Sequence, residues 1–281
     1  MIPPAAREQI RRCYVARYKQ WGPQVLAAWC KRRGLGRWSA TTIAKVIADL
    51  RDPRHEPPPV RRYEITASGV MWSEDGTSLG RGRGKRELLV VQDEHARYKL
   101  NWRLVKKAAK EKDVVAYLEE SFRKYGAPLV LKHDNHGIFH GHQMRELLAR
   151  WQVIDLTGPN SWPRYNGKKE RSMRDIKSME RAVRKHGTGG SLTGRLEVAF
   201  HDLNEERPRP MLGGLTAREV YERDRVEVMD RDALREEVRL ETRRLRAQAR
   251  SRCERQTARR RAVEVILSRH GFLKELGGSV N

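Results

Sequence analysis

Three carboxylates stand in settings that could support chemistry. Asp134 closes the apolar run LVLKHD (129–134), so it is expected at the C-terminal tip of a strand, where open α/β sheets carry their reactive groups. Asp75 follows GVMW in the segment MWSEDGTSL and is expected just past the end of another strand. Glu170 lies in YNGKKERSMRDIKSMERAVRK, near the start of a helix entered through Asn166-Gly167. Carboxylates gathered at one sheet edge are the hard oxygen ligands that Mg2+ or Mn2+ selects. Two such ions about 4 Å apart can activate a nucleophile and stabilise the leaving oxygen of a phosphodiester. Each acid also has an ordinary reading: an Asp at a strand end often shapes a turn, and a Glu in a basic helix often makes a surface ion pair.

The helix that carries Glu170 adds to the case. Steps of 4, 7 and 11 from Glu170 reach Arg174, Lys177 and Arg181, which puts them on one face with it. Met173, Ile176 and Val183 form a separate apolar stripe. A carboxylate followed by a basic ridge suits a substrate whose phosphates run along the helix, and Lys168 and Lys169 beside Glu170 are grouped with that ridge. A solvated basic face is the alternative.

The elements that must position these acids can be read from periodicity. YEITASGVMW, ELLVVQD and RYKLNWRL have strand character, joined by short polar turns. VVAYLEESFRKYG (114–126) is helical, LVLKHD a strand, HQMRELLARW (142–151) a helix and VIDL (153–156) a short strand. Two helices over roughly 167–186 and 192–207 follow. Three early strands and then alternating helix and strand predict an α/β layered domain with a mixed sheet, over 63–215. Asp93, which ends the second strand, is expected to cap a hairpin turn. Asp155 sits inside an apolar strand and lacks the spacing of the other acids.

Ahead of this lies a helical stretch, 1–52. PQVLAAWCKRR (23–33), the turn GLGRW and SATTIAKVIADL (39–50) make a helix-turn-helix pattern, with Ser39 as N-cap and Ile43, Val46, Ile47 and Leu50 on one face. Arg37, Thr42 and Lys45 would then face DNA; a small helical bundle is the plainer reading. PRHEPPPVRR (53–62), with its four prolines, is a natural linker. The region 216–281 is expected to be helical: 217–245 is nearly neutral, while 246–274 carries 9 basic and 2 acidic side chains. This second half is either a phosphate-neutralising arm or a solvated tail.

Composition sets the partner class. The 281 residues include 59 Lys and Arg against 36 Asp and Glu, a formal net charge of +23 that favours a polyanion such as nucleic acid. Cys13, Cys30 and Cys253 lie far apart, which argues against a disulfide framework and fits a reducing interior. With no signal-like start and no apolar run of 18 residues, a soluble, intracellular protein is expected.

The motifs in combination are specific. HDNHGIF followed by PRYNGKKERSMRDIK resembles the second and third acidic motifs of the integrase-like transposases of bacterial insertion sequences, relatives of retroviral integrases. In that superfamily about 35 residues separate the second Asp from the Glu, and 35 lie between Asp134 and Glu170 here. Trp72-Ser73-Glu74-Asp75-Gly76-Thr77 is similar to the first motif, and FHDLNEERPRPMLGGLTAREVYE to the closing segment. The likeness covers roughly 63–222. It departs at His136, where the family has Gly, so a displaced loop beside Asp134 is expected. His133, His136, His140 and His142 crowd the same loop, and a zinc site there is a minor alternative.

The resemblance implies a ribonuclease H-like fold, a five-stranded mixed sheet flanked by helices. It implies that Asp75, Asp134 and Glu170 hold two Mg2+ ions, with Mn2+ as substitute. It also implies in-line attack on phosphodiesters to cut element ends and join their 3′-hydroxyls to target DNA, by a homo-oligomer. Two other classes remain open: a relative that only binds DNA, and a ribonuclease H-like nuclease that cuts without joining.

Overall fold

The computed structural model describes residues 2–16, 21–50, 62–80, 82–106, 108–158, 167–187, 190–226 and 229–276. The chain forms two compact units, Met1–Val60 and Arg61–Asn281. The linker expected over 53–62 falls, up to residue 61, outside the described residues.

The first unit is built from α1 (Pro4–Ala16), α2 (Pro23–Arg32) and α3 (Ala40–Val46), followed by a 3-10 turn at Ala48–Leu50. Ser39 caps α3 by accepting from the amide of Thr42 at 3.2 Å. Ile10, Leu26, Cys30, Ile43 and Ile47 are fully buried at the centre. Arg11 clamps Asp49 through two contacts of 2.7 Å and also donates to the carbonyl of Val46 at 3.1 Å, which ties α1 to the end of α3. The expected helix over 39–50 stops at Val46.

The second unit opens with β1 (Arg62–Ile65) and continues through β2 (Met71–Leu79), β3 (Arg86–Asp93), β4 (Lys99–Val105), α4 (Glu111–Tyr125), β5 (Val130–His133), α5 (His142–Arg150) and β6 (Ile154–Thr157). Five strands form one mixed sheet in the order β4-β3-β2-β5-β6. The first three make an antiparallel meander, and β5 and β6 run parallel to β2, each reached through a helix. This is the mixed five-stranded sheet that the resemblance implies. The segment YEITASGVMW is two strands rather than one, because the chain breaks at Gly69, where φ is +85°.

Helices cover both faces of the sheet. On one, Trp72, Leu89, Val91 and Leu131 pack with Tyr117, Leu118 and Phe122 of α4 and with Met144 and Leu147 of α5. On the other, α6 (Gly167–Lys185) and α7 (Leu192–His201) lie over Leu79, Leu88 and Val90 through Met173, Ile176, Leu196 and Phe200. A π-helical turn at Asp202–Glu206 carries the chain out of α7.

The helices after Thr216, set apart in the sequence, belong to the second unit. Ala217, Val220 and Tyr221 of α8 (Ala217–Arg223) join the α4 core. Two further helices, α9 (Arg231–Gln248) and α10 (Arg252–Arg269), insert Leu234, Val238, Ala262, Val263 and Ile266 against Met71, Val130, Ile154 and Leu156. The chain then enters β7 (Leu273–Leu276), which pairs antiparallel with β1. Neither a wholly helical end nor a solvated tail describes this region, because its apolar residues complete the core. Among the described residues, no helix is long and apolar enough to cross a membrane.

Candidate active site

Strand register brings the first two acids together. The parallel pairing of β2 with β5 matches Ser73 to Lys132, so two residues further on Asp75 stands level with Asp134, just beyond the last residue of β5. Asp134 occupies the expected strand tip. Asp75 does not follow its strand; it lies within β2, opposite Val90 of β3, because the strand runs on to Leu79. Alternation turns Asp75 to the α6 face together with Ser73 and Val90, whereas Trp72 and Glu74 face α4.

Glu170 sits in the first turn of α6, where helix-end amides favour an acidic side chain, and it is exposed. Its charge reaches the strands. Burial raises the proton affinity of the Asp75 carboxyl, the Lys169 ammonium opposes this, and Asp134 and Glu170 raise it further. The three acids therefore share one electrostatic neighbourhood.

The donor set suits a hard divalent cation: oxygen ligands on adjacent strands, facing charge crowding that a cation would relieve. Among the described residues, however, no group of three or more His, Cys, Asp or Glu is gathered closely enough to hold an ion. The acids converge without closing.

The loop beside Asp134 is well braced. The amide of His136 donates to Asp134 Oδ1 at 3.1 Å, and His136 has φ −74° and ψ 140°, ordinary extended backbone. The displacement expected from a His in place of Gly is not needed, since no left-handed conformation is required there. His133 is buried under the loop, stacked on Phe139 at 4.4 Å. One of its ring nitrogens meets the carbonyl of Asp134 at 2.6 Å and the other the carboxylate of Asp155 at 2.6 Å. Asp155 thus serves His133. Burial raises its proton affinity, but His133 and Arg259 bring its pKa below the usual carboxylate range. His140 meets Asn135 at 2.8 Å and His142 lies 3.3 Å from Glu146, so the rings of His133, His140 and His142 are engaged on separate partners.

Asp93 caps the β3–β4 hairpin as expected. It accepts from the amides of His95 at 3.0 Å, Ala96 at 2.8 Å and Gly69 at 2.8 Å. Burial outweighs these bonds and pushes its carboxyl up to about 6.

The residues expected to meet DNA separate into groups. Arg174 and Arg181 are exposed on α6 and Lys177 is half-buried, while Met173, Ile176 and Val183 are buried as the stripe requires. In the first unit Arg37, Thr42 and Lys45 are exposed, although the Thr42 hydroxyl is shared with that of Ser39 at 2.8 Å. The side chain of Lys168 lies outside the described residues.

Lys169 requires a correction. It is 3% exposed, and its ammonium donates to the carbonyls of Ser73 at 2.9 Å and Val90 at 2.8 Å, so it points into the sheet rather than toward a phosphate. Burial lowers its proton affinity, against the attraction of Asp75 and then Glu74. The spacing held the signal, since positions 169, 173, 176 and 183 fall on one side of a helix. A second acid also went unnoticed. Glu74 is buried with neither carboxyl oxygen hydrogen-bonded, and burial holds it well above the usual carboxylate range, with Asp75 and Asp134 adding to the shift against Lys169.

No family profile matches the chain. The Gag-Pro-Pol polyprotein of mouse mammary tumor virus (strain BR6) is 25% identical over 151 residues, covering 54% of this chain and 8% of the polyprotein. The chain therefore spans under a tenth of the length of that curated relative. Among solved structures, the simian T-cell lymphotropic virus intasome aligns over 79% of this chain and 77% of its own, at 14% identity and a TM-score of 0.57. The magnesium-bound HTLV-2 integrase catalytic core in its dimeric form aligns over 55% of this chain and 97% of its own, at 18% identity and a TM-score of 0.48. The fold is the ribonuclease H-like fold of integrase cores, a mixed five-stranded sheet between helices.

Proposed function

We propose that this chain is a metal-dependent polynucleotidyl transferase, a transposase or integrase that cuts the ends of a mobile element and joins their 3′-hydroxyls to target DNA. The observation that carries the reading is the register of β2 with β5, which sets Asp75 level with Asp134 under a helix whose first turn bears Glu170. The separation of 35 residues between Asp134 and Glu170 and the net charge of +23 support it.

In this reading Asp75, Asp134 and Glu170 would hold Mg2+, or Mn2+ in its place, as two ions per site. Bound there, the ions supply Lewis acidity toward the attacking and leaving oxygens of a phosphodiester. The chain's own contribution is placement and charge. The turn held by the His136 amide fixes Asp134, the long strand fixes Asp75, and Arg174, Lys177 and Arg181 offer a cationic ridge to the backbone of the DNA. We assign end binding to the helix-turn-helix of the first unit, through Arg37, Thr42 and Lys45, with Lys168 near the reacting strand. Two DNA ends must be held together for joining, so a homo-oligomer is the working form. The element is taken to be a bacterial insertion sequence, which places the protein in the cytoplasm, on the nucleoid.

Strand transfer of a pre-cut oligonucleotide end into plasmid DNA, with Mg2+ or Mn2+, tests the proposal. Joined product from the wild type and none from Glu170→Gln is expected. Cleavage without joining would replace it with a ribonuclease H-like nuclease. The openness of the three acids favours a second reading, a catalytically silent DNA-binding relative. Tight binding with neither cutting nor joining would select that one.

A further inference from the structure

A lysine immediately before the third acid turns inward rather than outward. Its ammonium is bonded to carbonyls of two adjacent strands, Ser73 of β2 and Val90 of β3. Val90 is the cross-strand partner of Asp75, and Ser73 precedes it by two residues on the same face. The cation therefore lies beneath the point where Asp75, Asp134 and Glu170 converge. Two carbonyls take two of its three N–H donors and balance none of its charge. A buried ammonium is costly unless a carboxylate balances it. The balance is mutual: Asp75 is the strongest attraction on Lys169, and Lys169 is the strongest attraction on Asp75.

We propose that Lys169 is the resident counter-ion of the acidic site, balancing the carboxylate of Asp75 in the metal-free protein. The geometry has two consequences. Without the lysine, Asp75 would face the like charges of Asp134 and Glu170 with Glu74 buried beside it and no cation opposing them, so the lysine lets the apo form assemble. It also lowers the charge presented to an entering cation, which weakens metal binding and makes loading reversible. The second consequence rests on the metal-dependent reading proposed above; the first does not.

A double-mutant cycle tests the inference on the full chain without metal. Unfolding by urea is measured for the wild type, Lys169→Met, Asp75→Asn and the double variant. Lys169→Met alone is expected to destabilise strongly, and much of that loss should disappear when Asp75 is already Asn. If Lys169→Met folds only in the Asp75→Asn background, the rescue is the same coupling in extreme form. Equal losses in both backgrounds, or failure to fold in both, would overturn the proposal and leave Lys169 a packing residue.

A second arm adds Mn2+ alone and follows Tm and Mn2+ affinity by electron paramagnetic resonance. Lys169→Met should gain more Tm from Mn2+ than the wild type and bind it about tenfold more tightly, while Lys169→Arg, which keeps the charge, should match the wild type. An unchanged or weaker Mn2+ response in Lys169→Met would contradict the counter-ion role. Absence of any Mn2+ response in the wild type would instead sink the metal-dependent reading, and the metal-free cycle would then decide the role of Lys169 by itself.

Discussion

The two faces of the central sheet solve different problems with the same strands. Toward α4 and α5 the sheet presents Trp72, Leu89, Val91 and Leu131, fully packed, with Glu74 as an acid that has no hydrogen-bond partner. Toward α6 it presents Ser73, Asp75 and Gln92, beneath Lys169 and Ser172. Glu74 and Asp75 are consecutive residues, yet one is sealed in the core and the other is left half-buried beside charged neighbours. Environment separates them, since strand alternation alone decides which helix each acid meets. One face is built for cohesion, and the other carries the candidate site.

That division predicts opposite behaviour on the two faces. The largest effect is expected from Asp75→Asn, Asp134→Asn and Glu170→Gln. Each should cut strand transfer by about a thousandfold or more while DNA affinity holds near wild type, and the urea midpoints of Asp134→Asn and Glu170→Gln should hold as well. Retention of full joining by any one of them would remove that residue from the site. On the other face, Phe122 packs between Trp72 and Trp151 with ring centroids 5.8 Å from each. Phe122→Ala should lower stability by about 3–5 kcal/mol and leave DNA joining intact at temperatures where the protein is folded. A loss of joining without a loss of stability would show that the two faces are coupled.

Buried acids sharpen the contrast through pH. Asp93 titrates at about 6 in the folded chain, against 3.8 for an ordinary aspartate, chiefly because it is buried. The folded state therefore holds its proton more tightly than the unfolded state. The resulting stabilisation is complete below about pH 4 and is lost as pH rises through about 6, a change of about 3 kcal/mol. Glu74, raised in the same direction, acts with the same sign. Urea unfolding from pH 4 to 7 should show this decline, and Glu74→Gln should make it shallower. A wild-type profile that rises over that range would contradict the assignment of both groups. The smallest effect belongs to the first unit: Lys45→Ala should weaken end binding by about 1 kcal/mol and reduce the salt slope of affinity by about one. An unchanged slope would take α3 out of DNA binding.

Much of this architecture was legible in the sequence, for identifiable reasons. Strands β3, β4, β5 and β6 and helices α4 to α7 follow periodic apolar patterns bounded by turn residues, as with Gly126, which ends α4 at φ +78°. Asp134 was placed correctly because an apolar run ends at it. Asp75 was misplaced because Gly76, Thr77 and Ser78 look like a turn, whereas pairing with Leu89, Leu88 and Glu87 extends the strand through them. Residue type alone points Lys169 to solvent, since it stands beside basic neighbours, and only its place on the apolar stripe says otherwise. The pairing of β7 with β1 joins residues more than 200 positions apart and leaves no local pattern. The burial of α9 and α10 was hidden by their charge, because a narrow stripe such as Leu234 and Val238 suffices when the sheet beneath it is apolar.

If Asp75, Asp134 and Glu170 form one divalent-metal site, the protein should bind Mn2+ there. Anomalous diffraction from crystals of the full chain soaked in Mn2+ addresses it directly. Mn2+ is expected on carboxylate oxygens of Asp75 and Asp134, with Glu170 drawn onto the ions, and these peaks should be lost in Asp134→Asn. Manganese bound elsewhere in the chain, or peaks that persist in Asp134→Asn, would contradict it.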